Sequence, residues 1–510
     1  MSRMNPTDAV YAKLTPEQIA ELEDKYNRAD AACKIIENYS QERVDRMIQA
    51  IAAAVANKVA FLELVEKGIQ ETRFGDPVSR RNKRFKIRGV LRDALRQKSV
   101  GIIEEIPEKG ITKYAKPVGI IGCVVPATNP DLTPAGNAIY ALKARDVIIF
   151  SPHPRGLKTT LATVNLMRKA LRDIGEPEDF IQCLQGSINK AMSEALNTRV
   201  DLVIATGGQG VVRRAYFSGT PAYGVGAGNA TMIVDETAIQ NIQECAHNTM
   251  LSKTSDFGSG CSADGNIIVE DSVFEPLKEA LVREGGYPLT PEQQAAVKKV
   301  IWDESCHRLS DTVALAPQAV AKIAGFEIPA DRKFLIAMSD GIGPEYEHAF
   351  CREKLTTLLT MHNYGTDFEN AIKMMKAIYE VGGKGHSVGM YTFDDEHVHR
   401  VAMVAPVGRM MIRQPQSKAN AGAFTNGMPM TSSIGCGTWG GNATSENVHL
   451  HHYMNVTWVS RAIPEDRPSD AELFGEFYRP ELEPEDETIT HEEACMLLGD
   501  SYYEIWPNER

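Results

Sequence analysis

The stretch "VGIIGCVVPA" (118–127), with "PAGNAIYALKA" (134–144) and "DVIIFSP" (146–152) after it, decides the fold class of this chain. The outer two segments are short apolar runs rich in valine and isoleucine, which is typical of buried strands, whereas the middle one has the composition and spacing of a helix. The alternation continues through helix 157–174, strand 180–185, helix 188–197 and strand 200–206. Because strands that alternate with helices form parallel sheets covered on both faces, we predict a doubly wound α/β fold.

The length and the N-terminal segment extend this prediction. A chain of 510 residues is too long for one hydrophobic core, so we expect two or more domains. Near the N-terminus, Thr15 is a predicted N-cap, Pro16 takes the first helical position and Gln18 completes a capping box. A helical segment is therefore expected to precede the alternating region.

Charge and composition exclude several classes of protein. The formal net charge is -12, and the tail 464–510 alone contains fifteen Asp or Glu against three Arg. The remaining body is near neutral, which argues against nucleic acid binding. No apolar run reaches membrane-spanning length, and the N-terminus lacks a signal-peptide pattern. The nine cysteines show neither CxxC pairs nor zinc spacing, so we expect a cytoplasmic protein with reduced thiols.

Two glycine clusters lie next to predicted strands. "ATGGQGVVRRA" (205–215) follows a strand and enters a helix, so Thr206, Gly207, Gly208 and Gly210 could bring backbone N–H groups to a pyrophosphate. "PAYGVGAGNATMIVD" (221–235) is a second cluster, which contains Gly226. Neither matches the GxGxxG fingerprint, so taken alone each cluster favours a turn, although the strand and helix around the first cluster favour a cofactor site there.

One cysteine is set among small residues. In "KTSDFGSGCSADGNIIVE" (253–270), Cys261 has Gly258, Ser259 and Gly260 on one side and Ser262 and Ala263 on the other. Such a surrounding would present a sulfur to a ligand, but it is also that of an ordinary tight turn.

These segments together resemble the aldehyde dehydrogenase superfamily, and within it the coenzyme A-acylating branch. The matching blocks span about residues 117–455, and "FSPHP" (150–154), "GVGAGN" (224–229) and "GCGTWGGN" (435–442) are distinctive of that branch. The resemblance implies two doubly wound α/β domains and a small bridging or oligomerisation β element. The expected division is a nucleotide-binding domain (1–104 and 118–233), a catalytic domain (234–447), bridging strands (105–117 and 448–463) and an acidic C-terminal tail (464–510).

The resemblance also implies roles for particular residues. Cys261 matches the nucleophile that adds to the aldehyde carbon, and Asn129 matches the donor that stabilises the resulting oxyanion, with Thr128 as an alternative. Val225 stands where hydrolytic relatives carry the glutamate that activates water. The thioester on Cys261 would then persist until coenzyme A accepts the acyl group. His386 matches a histidine of the acylating branch that could take the CoA proton or tune Cys261.

The cofactor expected from the resemblance is NAD, with coenzyme A as co-substrate. Glu353 matches the residue that holds the nicotinamide ribose, and Ser151 and His153 are expected near the adenosine ribose. Arg155 and Lys158 follow closely in the sequence and could accommodate a 2′-phosphate, so NADP stays open. A homodimer or a dimer-based assembly is implied as well.

The substrate and two further features complete the expectations. Arg413 occupies a run that leads toward the aldehyde pocket, so it could bind a short aldehyde with a carboxylate or sulfonate; pairing with a protein carboxylate or exposure to solvent stays equally open. His449, His451 and His452 could suggest a metal, but a strand would split them between two faces, so none is expected. A catalytically silent scaffold is the alternative function, and the tail's apolar residues Leu497 to Trp506 could dock on a body.

Overall fold

The computed structural model describes residues 6–482 together with Glu493 and Met496. By internal contacts the chain forms two compact units, one of residues 1–105 and 113–458 and the other of 106–112 with the chain from 459 onward. The larger unit contains all the segments that the sequence predicted as α/β. The predicted docking residues Leu497 to Trp506 lie outside the described residues.

The first long helix of the chain, Pro16–Ile36, begins with the predicted capping box. Thr15 accepts a hydrogen bond from the backbone N–H of Gln18, whose side chain accepts one in return from Thr15 N–H. The seventeen α-helices of the described chain are α1 Pro6–Tyr11, α2 Pro16–Ile36, α3 Gln41–Ala56, α4 Lys58–Thr72, α5 Arg84–Leu95, α6 Leu132–Lys143, α7 Leu157–Asp173, α8 Lys190–Arg199, α9 Gln209–Tyr216, α10 Ile242–Thr254, α11 Asp271–Arg283, α12 Pro291–Ile301, α13 Pro317–Ile323, α14 Phe368–Val381, α15 Asp395–Val404, α16 Gln416–Ala419 and α17 Asp470–Phe474.

The strands form three sheets. Their bounds are β1 Gly101–Ile106, β2 Ile111–Pro117, β3 Ile120–Val125, β4 Val147–Pro152, β5 Ile181–Cys183, β6 Leu202–Thr206, β7 Ala222–Val225, β8 Thr231–Val234, β9 Asn266–Val269, β10 Gly286–Pro288, β11 Phe334–Met338, β12 Leu358–Asn363, β13 Val388–Tyr391, β14 Met410–Ile412 and β15 Met454–Ser460. A five-stranded sheet has the order β5-β4-β3-β6-β7, and a seven-stranded sheet the order β10-β11-β12-β9-β8-β13-β14. The remaining three strands have the order β1-β2-β15.

The two larger sheets are parallel throughout. In the five-stranded sheet β3 pairs with β4 from Ile120 opposite Val147, and with β6 on its other side. Such strands are buried on both faces, so nearly every residue of β3 and β4 is inaccessible, and apolar side chains from α3, α6 and α7 complete the core. The sequence prediction of doubly wound α/β architecture is confirmed.

In chain order, the first strand of the seven-stranded sheet is β8, which spans the predicted domain boundary at residue 233. Residues 226–230 connect β7 of one sheet to β8 of the other, so this short segment joins the two α/β layers of the larger unit. The loops at the carboxyl ends of the strands contain chemically active residues, as expected for this architecture.

One local prediction is wrong. Residues 449–453 do not form a strand: Leu450–Tyr453 is a short 3-10 helix, and β15 begins only at Met454. The side chain of His452 caps the N–H of His449, which turns the chain back on itself. The alternation argument that separated the three histidines therefore does not apply.

Within the described residues, no single helix has the length and apolar composition to cross a membrane. The bent pair α3 and α4, with 60° between its helices, meets both criteria only when the two are taken together.

Candidate active site

A cavity of about 1280 Å³ brings together most of the residues singled out in the sequence. Its volume exceeds the 300–1,000 Å³ that is usual for drug-sized ligands, so it has room for a dinucleotide and a second molecule. The predicted site residues that line it are Thr128, Asn129, Ser151, His153, Thr206, Gly207, Gly208, Gly226, Cys261 and Glu353.

Cys261 lies in the loop before β9, and His386 lies in the turn before β13. Cys261 Sγ is 3.1 Å from His386 Nε2, and His386 Nδ1 is 2.8 Å from Ser387 Oγ. Ser387 Oγ also accepts a hydrogen bond from the amide of Asn420. If Nδ1–H donates to that oxygen, the lone pair of Nε2 faces the thiol, which is the arrangement a proton acceptor needs.

The cysteine and the histidine are both held uncharged. The surrounding protein raises the pKa of Cys261 to about 12, chiefly by desolvation, although the sulfur is open to the cavity. Burial lowers the pKa of His386 to about 3. At neutral pH a protonated thiol therefore faces a neutral imidazole, and the pair shares one proton.

Two glycines allow the loops around the cysteine to approach each other. A Cβ on Gly228 would lie 2.1 Å from the carbonyl oxygen of Cys261, so only glycine fits between the two loops. Gly385 has a φ of 87°, and a Cβ there would lie 1.8 Å from the carbonyl oxygen of Cys436. A side chain at either position would push the nucleophile or the histidine out of place.

The oxyanion candidates lie at the carboxyl end of β3. Asn129 and Thr128 both line the cavity, and Asn129 Nδ2 is 3.5 Å from Thr128 Oγ1. Buried Arg80 anchors this loop, because its guanidinium donates a hydrogen bond to the carbonyl oxygen of Thr128.

Glu353 faces the cavity from the loop before β12. It accepts a hydrogen bond from Gly228 N–H at 3.2 Å, and burial raises its pKa to about 8, opposed by that bond and by Arg308, Lys253 and Lys354. The carboxyl group is therefore mainly protonated at neutral pH and can donate as well as accept.

The far end of the cavity lies at the carboxyl ends of β4 and β6. Ser151 Oγ is 2.8 Å from Ser193 Oγ, and His153 Nδ1 accepts from Arg155 N–H. Gly208 precedes the first turn of α9, and a Cβ on it would meet nothing within 4 Å. The unfilled space before this helix terminus fits a phosphate group of a dinucleotide. Gly210 lies inside α9 and does not line the cavity.

Arg413 is not brought to this cavity. It is exposed, its guanidinium lies over the ring of Phe393 at 4.2 Å, and it does not contribute to the lining. Of the alternatives that the sequence left open for Arg413, the structure favours exposure to solvent.

Sequence reasoning missed Lys86, which faces the cavity from α5. Its Nζ donates to the carbonyl of Ala421 at 2.9 Å and to that of Gly422, and burial lowers its pKa to about 8. Among the described residues no carboxylate forms an ion pair with it, and Asp93 acts only at longer range. An inward lysine on an amphipathic helix has no sequence signal that separates it from outward ones.

The histidines before β15 lie outside this cavity and form a group of their own. Glu446 Oε2 is 3.2 Å from Nε2 of His451, 3.9 Å from that of His449 and 3.8 Å from that of His452. Glu446 precedes His449 by only three residues, and the chain folds back between them, so its carboxylate comes close to all three histidines.

Comparisons with known proteins agree with this fold. A model described as "Aldehyde dehydrogenase family" matches residues 1–326. The chain belongs to the aldehyde dehydrogenase family, as its motifs indicated.

Its relatives point to one branch of the family. A sulfoacetaldehyde dehydrogenase from Acholeplasma sp is 37% identical over 457 residues, 89% of this chain and 93% of the relative. An acylating sulfoacetaldehyde dehydrogenase from Bilophila wadsworthia is 36% identical, with 90% and 98% covered. The crystal structure of an acetylating aldehyde dehydrogenase from Geobacillus thermoglucosidasius has a TM-score of 0.84 at 32% identity, with 89% and 99% covered.

Proposed function

We propose that the protein is a coenzyme A-acylating aldehyde dehydrogenase that converts an aldehyde, CoA and NAD to an acyl-CoA and the reduced cofactor. The observation that supports this most directly is the 3.1 Å contact between Cys261 Sγ and His386 Nε2 at the wall of a large cavity. The relatives described above have names of the same class.

In the proposed reaction Cys261 Sγ attacks the aldehyde carbon while its proton moves to His386, and a thiohemiacetal forms. Asn129, or Thr128 in its place, donates to the oxygen that gains negative charge. A nicotinamide cofactor, when bound, accepts the hydride. His386 then releases the proton of Cys261 to solvent, which accounts for the H⁺ of the overall reaction. The CoA thiol attacks the thioester on Cys261 while its proton moves to His386, and that proton passes to the Cys261 sulfur as the sulfur leaves. The same steps in reverse reduce an acyl-CoA.

Among the described residues, each carboxylate of the cavity wall is either paired or protonated, and Glu194 lies 3.5 Å from Arg214. Val225 ends β7 at the cavity wall, where a hydrolytic enzyme would present a carboxylate. The lining carboxylates are Glu194, Asp256 and Glu353. Asp256 is held by Lys83 and Arg80, and Glu353 is largely protonated, so we propose that it contacts the cofactor ribose instead.

The deciding experiment follows reduced cofactor with and without CoA. With aldehyde and NAD alone, we expect a burst of about one reduced cofactor per site and then almost no turnover, because water attacks the thioester slowly. Added CoA should start steady turnover and yield acyl-CoA. Sustained oxidation without CoA would show that the thioester is hydrolysed and would contradict this proposal. NADP in place of NAD tests the cofactor, since Arg155 and Lys158 leave it open.

For the substrate we propose a short anionic aldehyde such as sulfoacetaldehyde or succinate semialdehyde. Two observations support this: the names of the relatives, and the presence of Lys86 in the cavity without a carboxylate partner. Lys86 replaces Arg413 as the candidate for the anionic group. Phe85, Phe424 and Thr425 also line the cavity.

We further propose that the protein forms a dimer-based assembly and that it is located in the cytoplasm. The domain boundaries given above are proposed for each chain. β15 is the last strand in its sheet order, and its Val456 and Trp458 are exposed. An edge strand with exposed apolar side chains can pair with a second copy. Light scattering on wild type and Trp458→Lys tests this, and a monomeric wild type would contradict it.

A further inference from the structure

A group of four potential metal ligands lies just before β15, separate from the catalytic cavity. It consists of Glu446, His449, His451 and His452, which we call the histidine cluster. One ligand atom from each of the four lies within 4.8 Å of the others. No residue of the cluster lines the cavity that contains Cys261.

The geometry of the cluster is close to that of a metal site. In a tetrahedral zinc site with bonds of about 2.0–2.2 Å, neighbouring ligand atoms are about 3.3–3.6 Å apart. Glu446 Oε2 is 3.2, 3.9 and 3.8 Å from Nε2 of His451, His449 and His452. All four ligand atoms lie within 4.8 Å of one another, so side-chain rotations can bring the three nitrogens and the oxygen to bonding distance of one ion.

The contacts exceed what an ion pair requires. One protonated imidazole is enough to pair with Glu446, yet three rings converge on it, with centroids 3.7, 4.3 and 5.3 Å apart. His451 Nδ1 is also 2.9 Å from His449 Nε2, and the buried Nδ1 of His449 has no hydrogen-bond partner. Within the described chain these histidines are the ion-pair partners of Glu446.

The surroundings of His452 are suited to orient a ligand. Its Nδ1 accepts a hydrogen bond from His449 N–H at 3.2 Å, and its ring packs edge-on against Tyr223 of β7 at 4.9 Å. Its Nε2 is 3.3 Å from Thr444 Oγ1 and 3.8 Å from Glu446 Oε2, so the ring is held with this nitrogen toward the cluster.

We propose that the histidine cluster binds one divalent transition-metal ion, with Zn²⁺ as the best match. Three imidazoles and one carboxylate form a ligand set that zinc prefers, and four protein ligands leave no open position. The ion would therefore be structural. It would hold the segment 446–452 in its turn against β7, just before the chain enters β15.

The test measures Zn²⁺ binding to the full-length protein after chelator treatment and dialysis. Because Cys261 and His386 could also bind zinc, the measurements are made in a Cys261→Ser protein as well as in wild type. We expect one tightly retained Zn²⁺ per chain in both proteins, and a higher Tm with zinc than without it. Cobalt substitution should give a tetrahedral spectrum that lacks the thiolate charge-transfer band.

Variants localise the ion. His451→Gln and Glu446→Gln, both at accessible positions, should weaken zinc binding by at least about 10- to 100-fold, the loss seen even for outer-shell partners. His307→Gln is the matched control, since this exposed histidine pairs only with Asp303 and lies outside the cluster. The proposal is overturned if Cys261→Ser retains no zinc, if the cobalt spectrum shows thiolate ligation, or if the cluster variants bind zinc as tightly as His307→Gln. None of these outcomes bears on the acylating activity.

Discussion

Lys83 Nζ lies 2.7 Å from Asn129 Oδ1. An ammonium group can only donate, so this contact fixes the amide with its oxygen toward Lys83 and its NH₂ group free to donate elsewhere. Lys83 is itself held by buried Asp256. The pair therefore orients Asn129 as a donor at the wall of the cavity that contains Cys261.

The first prediction separates the two oxyanion candidates. Asn129→Ala should lower kcat by about 10²–10³, because one oxyanion donor is lost, whereas Thr128→Val should change it little. Steady-state kinetics with saturating CoA and cofactor give the comparison, and circular dichroism checks folding. A larger loss in Thr128→Val would assign the donor to Thr128. Lys83→Met should give an intermediate loss in kcat, as expected for a residue that positions Asn129.

The second prediction concerns proton transfer from Cys261. The pKa of this thiol is raised and that of His386 is lowered, so across pH 6–9 the thiol stays protonated and the imidazole stays neutral. In His386→Ala, alkylation of Cys261 by iodoacetamide should rise about tenfold per pH unit, because only the small thiolate fraction reacts.

In wild type the same profile should be flatter, because neutral His386 accepts the proton throughout this range. Cys261→Ala provides the blank for labelling at other cysteines and should itself have no turnover while it stays folded. Parallel profiles for wild type and His386→Ala would exclude a proton-accepting role for His386.

The third prediction adds a carboxylate at Val225 in the cavity wall. Val225→Glu should allow slow, sustained oxidation of aldehyde without CoA, because a carboxylate at this position could activate water. Val225→Gln is the matched control: it has nearly the same shape but no base, and it should stop after about one turnover. If both variants behave alike, Val225 does not mark the missing glutamate.

The fourth prediction compares two cations. Lys86→Met should lower kcat/KM for sulfoacetaldehyde and succinate semialdehyde, and the loss should correspond to about 2–5 kcal/mol of transition-state stabilisation. The kcat/KM for propanal should stay nearly unchanged. Arg413→Ala is the control, since its side chain is exposed beside Phe393. If Arg413→Ala reduces the anionic aldehydes and Lys86→Met does not, the assignment to Lys86 is wrong.

The fifth prediction concerns stability. Arg80 is fully buried and lies 3.4 Å from Asp131 and 3.7 Å from Asp256. Arg80→Met should lower the free energy of unfolding by about 3–5 kcal/mol, because it leaves Asp131 buried and unpaired. Arg81→Met, at an exposed position of the same turn, should have little effect in denaturant unfolding. Equal losses in both variants would contradict the role of the buried pair.

The sequence by itself determined the α/β architecture, the capping box at Thr15 and the cysteine at the site. The first two depend on local patterns, namely apolar runs of strand length, helical spacing and a capping motif, whereas Cys261 was singled out by its small neighbours and by the resemblance to a known family. The physical basis of these local patterns lies within a few residues of chain, so the sequence was enough to predict the architecture and the capping box.

Only the tertiary structure decided which side chains meet. Cys261 and His386 are 125 residues apart in sequence, and their 3.1 Å contact exists because β9 and β13 both flank β8 in one sheet. The direction of a side chain was equally out of reach: Arg413 lies on the surface while Lys86 enters the cavity, although nothing in their neighbouring residues distinguishes them. The histidines before β15 meet Glu446 because a 3-10 turn, capped by the side chain of His452, replaces the expected strand.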